Sequence, residues 1–152
     1  RFAPVVHGVL LGYVQKADAD DLTQEVFETA MQRLGDLREA AAFPGWLLGI
    51  ARHAALDAKR RRVPLTGIEI YAVDARATHE DRLDAERALG AIRGLPEAYR
   101  ETLLLRLVEG LTGPEIAQRT GLTAGSVRVN LHRGMALLRA ALTEANTGAG
   151  VR

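Results

Sequence analysis

Apolar residues recur at helical spacing from the first residues of this chain. Phe2, Val5, Val6, Val9, Leu10, Tyr13 and Val14 form one helical stripe. The pair Arg1-Phe2 reads as the inside of a helix, which implies sequence upstream. Asp18 is a good N-cap for a second helix and opens an acidic first turn. Along that helix Leu22, Val26 and Ala30, with Phe27, Met31 and Leu34, predict a broad apolar face, and Gly35 predicts its stop. A loop over 35–43 follows. Pro44 suits the first turn of a third helix, where its missing N–H costs nothing. Trp46, Leu47, Ile50, Ala51, Ala54 and Ala58 are that helix's core stripe, and it should end before Pro64.

From Val63 to Glu80 the periodicity fades, and Pro64, Gly67 and Asp74 predict a linker. Its length exceeds the usual connection inside one compact domain. A helix is expected from Asp81 to Arg93, with Leu83, Leu89 and Ile92 inward. Leu95-Pro96 restarts a helix, with Tyr99, Leu103, Leu107 and Val108 inward and Gly110 ending it. Thr112-Gly-Pro-Glu115 is a capping-box pattern, followed by a short helix carrying Ile116 and Ala117. Gly121 supplies a turn, and Thr123 caps a last helix running to about Leu142. The tail from Asn146 is expected to fray. No run alternates long enough to build a sheet. The expected fold is all-α: two small helical domains, 1–62 and 81–145, joined by a flexible linker over 63–80, with a tail over 146–152.

Composition narrows the chemistry. The chain of 152 residues has no Cys, which excludes a disulfide scaffold, a thiolate zinc site and a cysteine nucleophile, and fits a reducing cytoplasm. No apolar run approaches the roughly 18 residues of a membrane span. The net charge of +1 argues, as a total, against a nucleic-acid binder. The total hides opposed patches. Residues 18–39 hold seven acids and two bases, a net of −5, and residues 50–62 hold five bases and one acid, a net of +4. From Arg119 to Arg139 inclusive there are four Arg and no acid. Such separation points to two kinds of partner surface, the alternative being solvated helix faces.

Two helices joined by a short Gly-containing turn form a helix-turn-helix pattern, here over 114–120, Gly121-Leu122 and Thr123 onward. On the second helix Val127, Leu131, Gly134, Met135, Leu138 and Leu142 fall on one face, which must be buried. The opposite arc is Gly125, Ser126, Val129, His132, Arg133 and Ala136, flanked by Arg128 and Asn130. Small residues there allow close approach to a major groove, Arg pairs with guanine or phosphate, and Val129 suits a thymine methyl. A plain three-helix bundle with a solvated outer face is the competing reading.

The residues that carry a family resemblance are now in view. Leu95-Pro-Glu-Ala-Tyr-Arg-Glu-Thr-Leu-Leu-Leu-Arg-Leu-Val-Glu-Gly110, Glu115-Ile-Ala117 and Gly125-Ser-Val-Arg-Val-Asn-Leu-His-Arg133 resemble region 4 of a sigma-70-type factor. Asp18-Ala-Asp-Asp-Leu-Thr-Gln-Glu-Val-Phe27 and Trp46-Leu-Leu-Gly-Ile-Ala-Arg-His-Ala-Ala-Leu-Asp57, with the basic run after them, resemble region 2. Both regions with only a short linker between them resemble the extracytoplasmic-function sigma factors, over nearly the whole chain.

That resemblance implies a promoter-specificity subunit. Asp20, Asp21, Gln24, Glu25 and Glu28 would dock on the coiled coil of the polymerase β′ subunit. Complementation of the helix dipole accounts for Asp18, Asp20 and Asp21 but not for Gln24 to Glu28. Leu37, Arg38, Arg52, His53, Lys59, Arg60 and Arg61 would read and melt the -10 element, holding an extruded base, although the basic run is also compatible with an ordinary solvated helix end. Trp46 reads as core rather than as a stacking platform. Thr123, Ser126, Arg128, Val129, Asn130, His132 and Arg133 would read the -35 element. The sequence departs from the family at His53, where Asn is frequent, and at Asn130 and Met135, where Arg is common. The implied partners are core RNA polymerase, through the β′ coiled coil and β flap, promoter DNA and an anti-sigma factor.

No other chemistry competes strongly. The four His are scattered without ligand spacing, so neither a metal nor another cofactor is expected. No phosphate loop or nucleophilic triad has motif support, so no enzymatic activity is expected. The rival readings are a stand-alone helix-turn-helix regulator working without polymerase and a helical adaptor acting through its acidic helix.

Overall fold

A computed structural model describes residues 1–61, 76 and 78–150. Among these residues there are seven helices and no strand: α1 (Ala3–Leu11), α2 (Lys16–Gln32), α3 (Phe43–Arg61), α4 (His79–Arg93), α5 (Glu97–Leu107), α6 (Gly113–Thr120) and α7 (Ala124–Ala149). Short 3-10 turns at Leu34–Asp36 and Ala40–Ala42 shape the connection from α2 to α3. The expected linker lies mostly outside the described residues, and its last two, His79 and Glu80, begin α4.

Several helix ends follow the sequence signals. Pro44 occupies the first turn of α3. Thr112 and Glu115 exchange capping hydrogen bonds at α6, and Gly121 stops that helix at φ +80°, a conformation that glycine adopts without strain. α1 runs from Ala3, with Phe2 ahead of it in right-handed helical geometry and its carbonyl accepting from Val6 N at 3.0 Å. Other ends differ. Gln15, in extended geometry, is the N-cap of α2, and Asp18 lies inside its first turn. α2 closes at Gln32, ahead of Gly35. α4 starts at His79 because Thr78 and Asp81 form a second capping box. α7 continues to Ala149 instead of ending near Leu142 and fraying from Asn146.

α1 is the hub. It packs against α2 and α3 on one side and α5 on the other. Val5, Val6, Val9, Leu10 and Leu11 are all fully buried there. Gly8 and Gly12 let α5 come close: a Cβ on Gly8 would lie 2.7 Å from the Leu105 side chain, and one on Gly12 3.0 Å from Arg100. The buried set is therefore continuous from Val5 through Leu47 and Ala55 to Leu103, Ile116 and Val127.

Two parts of the expected core are absent from it. Met31 and Leu34 are 78% and 52% exposed, because the buried face of α2 is Ala19, Leu22, Val26 and Ala30. At about 100° per residue, Met31 sits about 180° around the helix from Leu22. Leu107 and Val108 are also exposed: α5 ends there, the chain turns through Gly110 at φ +70°, and Leu111 is buried instead.

Candidate nucleic-acid interface

Three surfaces hold the residues singled out in the sequence. On α2, Asp21, Gln24, Glu25 and Glu28 all point outward, opposite Leu22 and Val26. Gln24 Nε2 donates to Glu28 Oε1 at 3.0 Å along this face. Asp20 is set apart, since its Oδ1 accepts from His7 Nε2 at 2.9 Å. Met31 extends the acidic face with an exposed apolar side chain. The spaced series Phe27, Met31 and Leu34 disguised this position, whereas its helical angle to Leu22 would have revealed it.

On the second surface Leu37 is half-buried and Arg38 exposed, between the two 3-10 turns. Lys59, Arg60 and Arg61 form the exposed last turn of α3, where positive charge complements the helix dipole. His53 is exposed, with Nε2 3.5 Å from Asp57 Oδ2. Trp46 is half-buried; its ring lies 6.0 Å from that of Phe43, which meets Phe2 edge-on at 5.1 Å.

Arg52 does not join this basic surface. Its Nε donates to Glu101 Oε1 at 2.8 Å and its Nη2 to Glu101 Oε2 at 2.9 Å, a fork-on-carboxylate pair reaching from α3 to α5. Glu97 Oε1 lies 3.2 Å from the same Nε. The Glu101 hydrogen bonds raise the guanidinium pKa further, against the burial that would lower it. No local signal marks this partnership, which spans 49 positions.

The third surface is the helix-turn-helix of α6 and α7. Thr112 N donates to Glu115 Oε2 at 2.8 Å, and this capping bond holds the Glu115 carboxyl below its ordinary range. Thr123 Oγ1 accepts from Ser126 N at 3.1 Å and fixes the first turn of α7. Val127 and Leu138 anchor α7 in the core. Gly134 is buried between them, with space for a Cβ only 3.1 Å from Leu103. The outward arc is as expected: Ser126, Arg128, Val129, His132 and Arg133 are exposed, Val129 included. Asn130 turns away from that arc, half-buried, with Nδ2 3.5 Å from Thr102 Oγ1.

Among the described residues no cluster of His, Asp and Glu could hold a metal ion, and no helix is long and apolar enough to cross a membrane.

Residues 1–63 match the family model for Sigma-70 region 2, and residues 85–138 match that for Sigma-70, region 4. RNA polymerase sigma factor CarQ of Myxococcus xanthus is 34% identical over 150 residues, covering 95% of this chain and 86% of that protein. The ECF RNA polymerase sigma-E factor of Haemophilus influenzae is 31% identical over 156 residues, covering 91% of this chain and 82% of its own length. The solved sigma factor RpoE of Bartonella quintana, in complex with the anti-sigma factor NepR, shares the fold, with a TM-score of 0.59 at 18% identity over 93% of this chain and 92% of that one. Some other relatives are longer, and the chain spans 34% and 51% of two of them. A helical chain carrying region 2 followed by a region 4 helix-turn-helix is a promoter-specificity subunit of bacterial RNA polymerase. The chain belongs to the extracytoplasmic-function sigma factors of the sigma-70 family. Its region 2 half sets aside the stand-alone regulator, and the family's members are non-catalytic initiation factors.

Proposed function

We propose that the three surfaces divide the work of promoter recognition. The acidic face of α2, with Asp21, Gln24, Glu25 and Glu28 and the adjoining Met31, docks on the polymerase β′ coiled coil, with Asp20 at its edge. Charge opposite a basic partner favours encounter and register. Leu37, Arg38, His53, Lys59, Arg60 and Arg61 engage the melted -10 strand, and Arg52 joins them once released from Glu101. Thr123, Ser126, Arg128, Val129, His132 and Arg133 meet the -35 duplex, with Arg133 and Arg128 on phosphate or guanine and Val129 on a thymine methyl. Asn130, turned toward Thr102, supports the helix rather than reading bases.

The functional division is 1–62 for docking and opening, 63–80 as linker, 81–145 for the upstream element and 146–152 as tail. The chain works in the cytoplasm without catalysis of its own, contacts the β flap through region 4, and is held in check by an anti-sigma factor. The observation that carries this reading is the exposed arc of α7, presented by a capped helix whose opposite face is locked into the core.

Run-off transcription with purified core polymerase over a genomic promoter library tests it. Dependent promoters should appear only when the chain is added. Asp21→Ala with Glu25→Ala should weaken core binding while the circular-dichroism spectrum stays unchanged. No complex with core enzyme would overturn the proposal.

A further inference from the structure

The two halves of the chain meet where α1 and α3 face α5 and α6. Arg93 closes part of this contact by donating to the carbonyl oxygens of Leu11 and Val14, each at 2.9 Å. Beside the Arg52–Glu101 pair the contact stays open, as a cavity of about 390 Å³ between α3, α5 and the turn from α6 to α7. That volume falls at the lower end of the range of small-molecule sites. Its apolar lining is Ala98, the buried Leu105 and Leu122, an exposed leucine of the helix-turn-helix turn.

The polar lining is rich in acceptors and short of donors. Thr102 Oγ1 gives its hydrogen to Ala98 O at 2.7 Å and Thr120 Oγ1 gives its own to Ile116 O at 2.7 Å, so each hydroxyl has only lone pairs left to offer. Asn130 Nδ2 lies 3.5 Å from Thr102 Oγ1, and the Asn130 carbonyl oxygen has no partner among the described residues. Arg52 Nε carries a single hydrogen, which Glu101 Oε1 accepts at 2.8 Å. Glu97 Oε1, 3.2 Å from the same nitrogen, therefore has positive charge beside it but no hydrogen to accept. Two carboxylates against one guanidinium leave the cavity with excess negative charge. An anion would meet that charge with few donors to hold it, whereas an ammonium brings three donors and the opposite sign. We propose that this cavity binds a small primary amine carried on a flat apolar body: the ammonium bonds Glu97, the body lies on Leu105 and Leu122, and a polar far end reaches Asn130.

Heteronuclear NMR titration of the full chain at neutral pH and low salt tests it, with tyramine, 4-ethylphenol and 4-hydroxyphenylacetate as probes. The three share a hydroxyphenyl body and end in an ammonium, a methyl and a carboxylate. Tyramine should bind one to one at roughly millimolar affinity, the range open to a molecule of about ten non-hydrogen atoms. Its shifts should centre on Leu105, Leu122 and Asn130. The neutral and anionic probes should bind about tenfold more weakly or worse, since they lack the charged donor. Glu97→Gln, at an exposed position, should weaken tyramine by about tenfold. Ala98→Leu fills the cavity from an exposed position of α5 and should weaken it at least as much. Glu144→Gln, which removes an exposed carboxylate near the end of α7, should leave the affinity unchanged. Equal affinity for tyramine and 4-ethylphenol would overturn the assignment of an amine. Tyramine binding that survives either Glu97→Gln or Ala98→Leu, that falls equally in Glu144→Gln, or that never saturates would overturn the site.

Discussion

His7 has a carboxylate at each ring nitrogen: Glu109 at Nδ1, 2.5 Å away, and Asp20 at Nε2, 2.9 Å away. A neutral imidazole has one N–H and serves only one of these acceptors, so the arrangement favours the doubly protonated ring. The Glu109 hydrogen bond raises the His7 pKa above its ordinary value, and the Asp20 charge adds to this, against the burial that lowers it. A pKa raised on folding stabilises fully below the unfolded value, and the gain is lost as pH rises through the folded one. The difference in unfolding free energy between the parent chain and His7→Gln should therefore be largest near about pH 6 and shrink toward about pH 9. Denaturant titrations across that range check it, and parallel pH profiles for the two proteins would refute it. The sequence offered His7 only as one of four scattered histidines, because Glu109 lies 102 positions away. The same distance effect hid the partner of Arg52. That Glu25 and Arg133 face solvent, by contrast, follows from the periodicity of a single helix.

Helices were legible where a local chemical signal fixes their ends. The capping box at Thr112, the proline in the first turn of α3 and the left-handed Gly121 all act within a few residues, and each stands where the sequence indicates. Errors arose where apolar residues continue past a helix's packed stretch. Leu107 and Val108 look like core but fall where α5 ends and the chain reverses toward Leu111. Two substitutions probe single elements. Thr123→Ala removes the side-chain acceptor for Ser126 N and should lower stability by about 1 kcal/mol, read as a lower denaturant midpoint with an unchanged slope. Gly49→Ala should act in the opposite direction. Gly49 lies inside α3, and an added Cβ meets nothing within 4 Å. Its replacement should raise stability by about 0.5–1 kcal/mol; destabilisation would show that this face of α3 is packed.

At the scale of the molecule, each half is of a size that buries little surface alone. The contact between α1 and α5 joins their cores, so the buried set runs unbroken from Val5 to Leu138. Periodicity within each helix could not show this, because the same apolar stripes are compatible with separate bundles. What reveals the joint is the placement of Gly8 and Gly12, whose missing side chains are filled by Leu105 and Arg100. Shared burial couples the stabilities of the two halves. The intact chain should therefore unfold in one calorimetric transition, with van't Hoff and calorimetric enthalpies in agreement. Gly8→Leu, which forces α1 and α5 apart without touching the rest of either core, should split that transition into two. Two transitions in the parent chain would show that the halves fold independently. A single transition persisting in Gly8→Leu, at a lower midpoint, would show that the remaining contacts, including the Arg52 fork and the Arg93 bonds to Leu11 and Val14, suffice to keep the halves coupled.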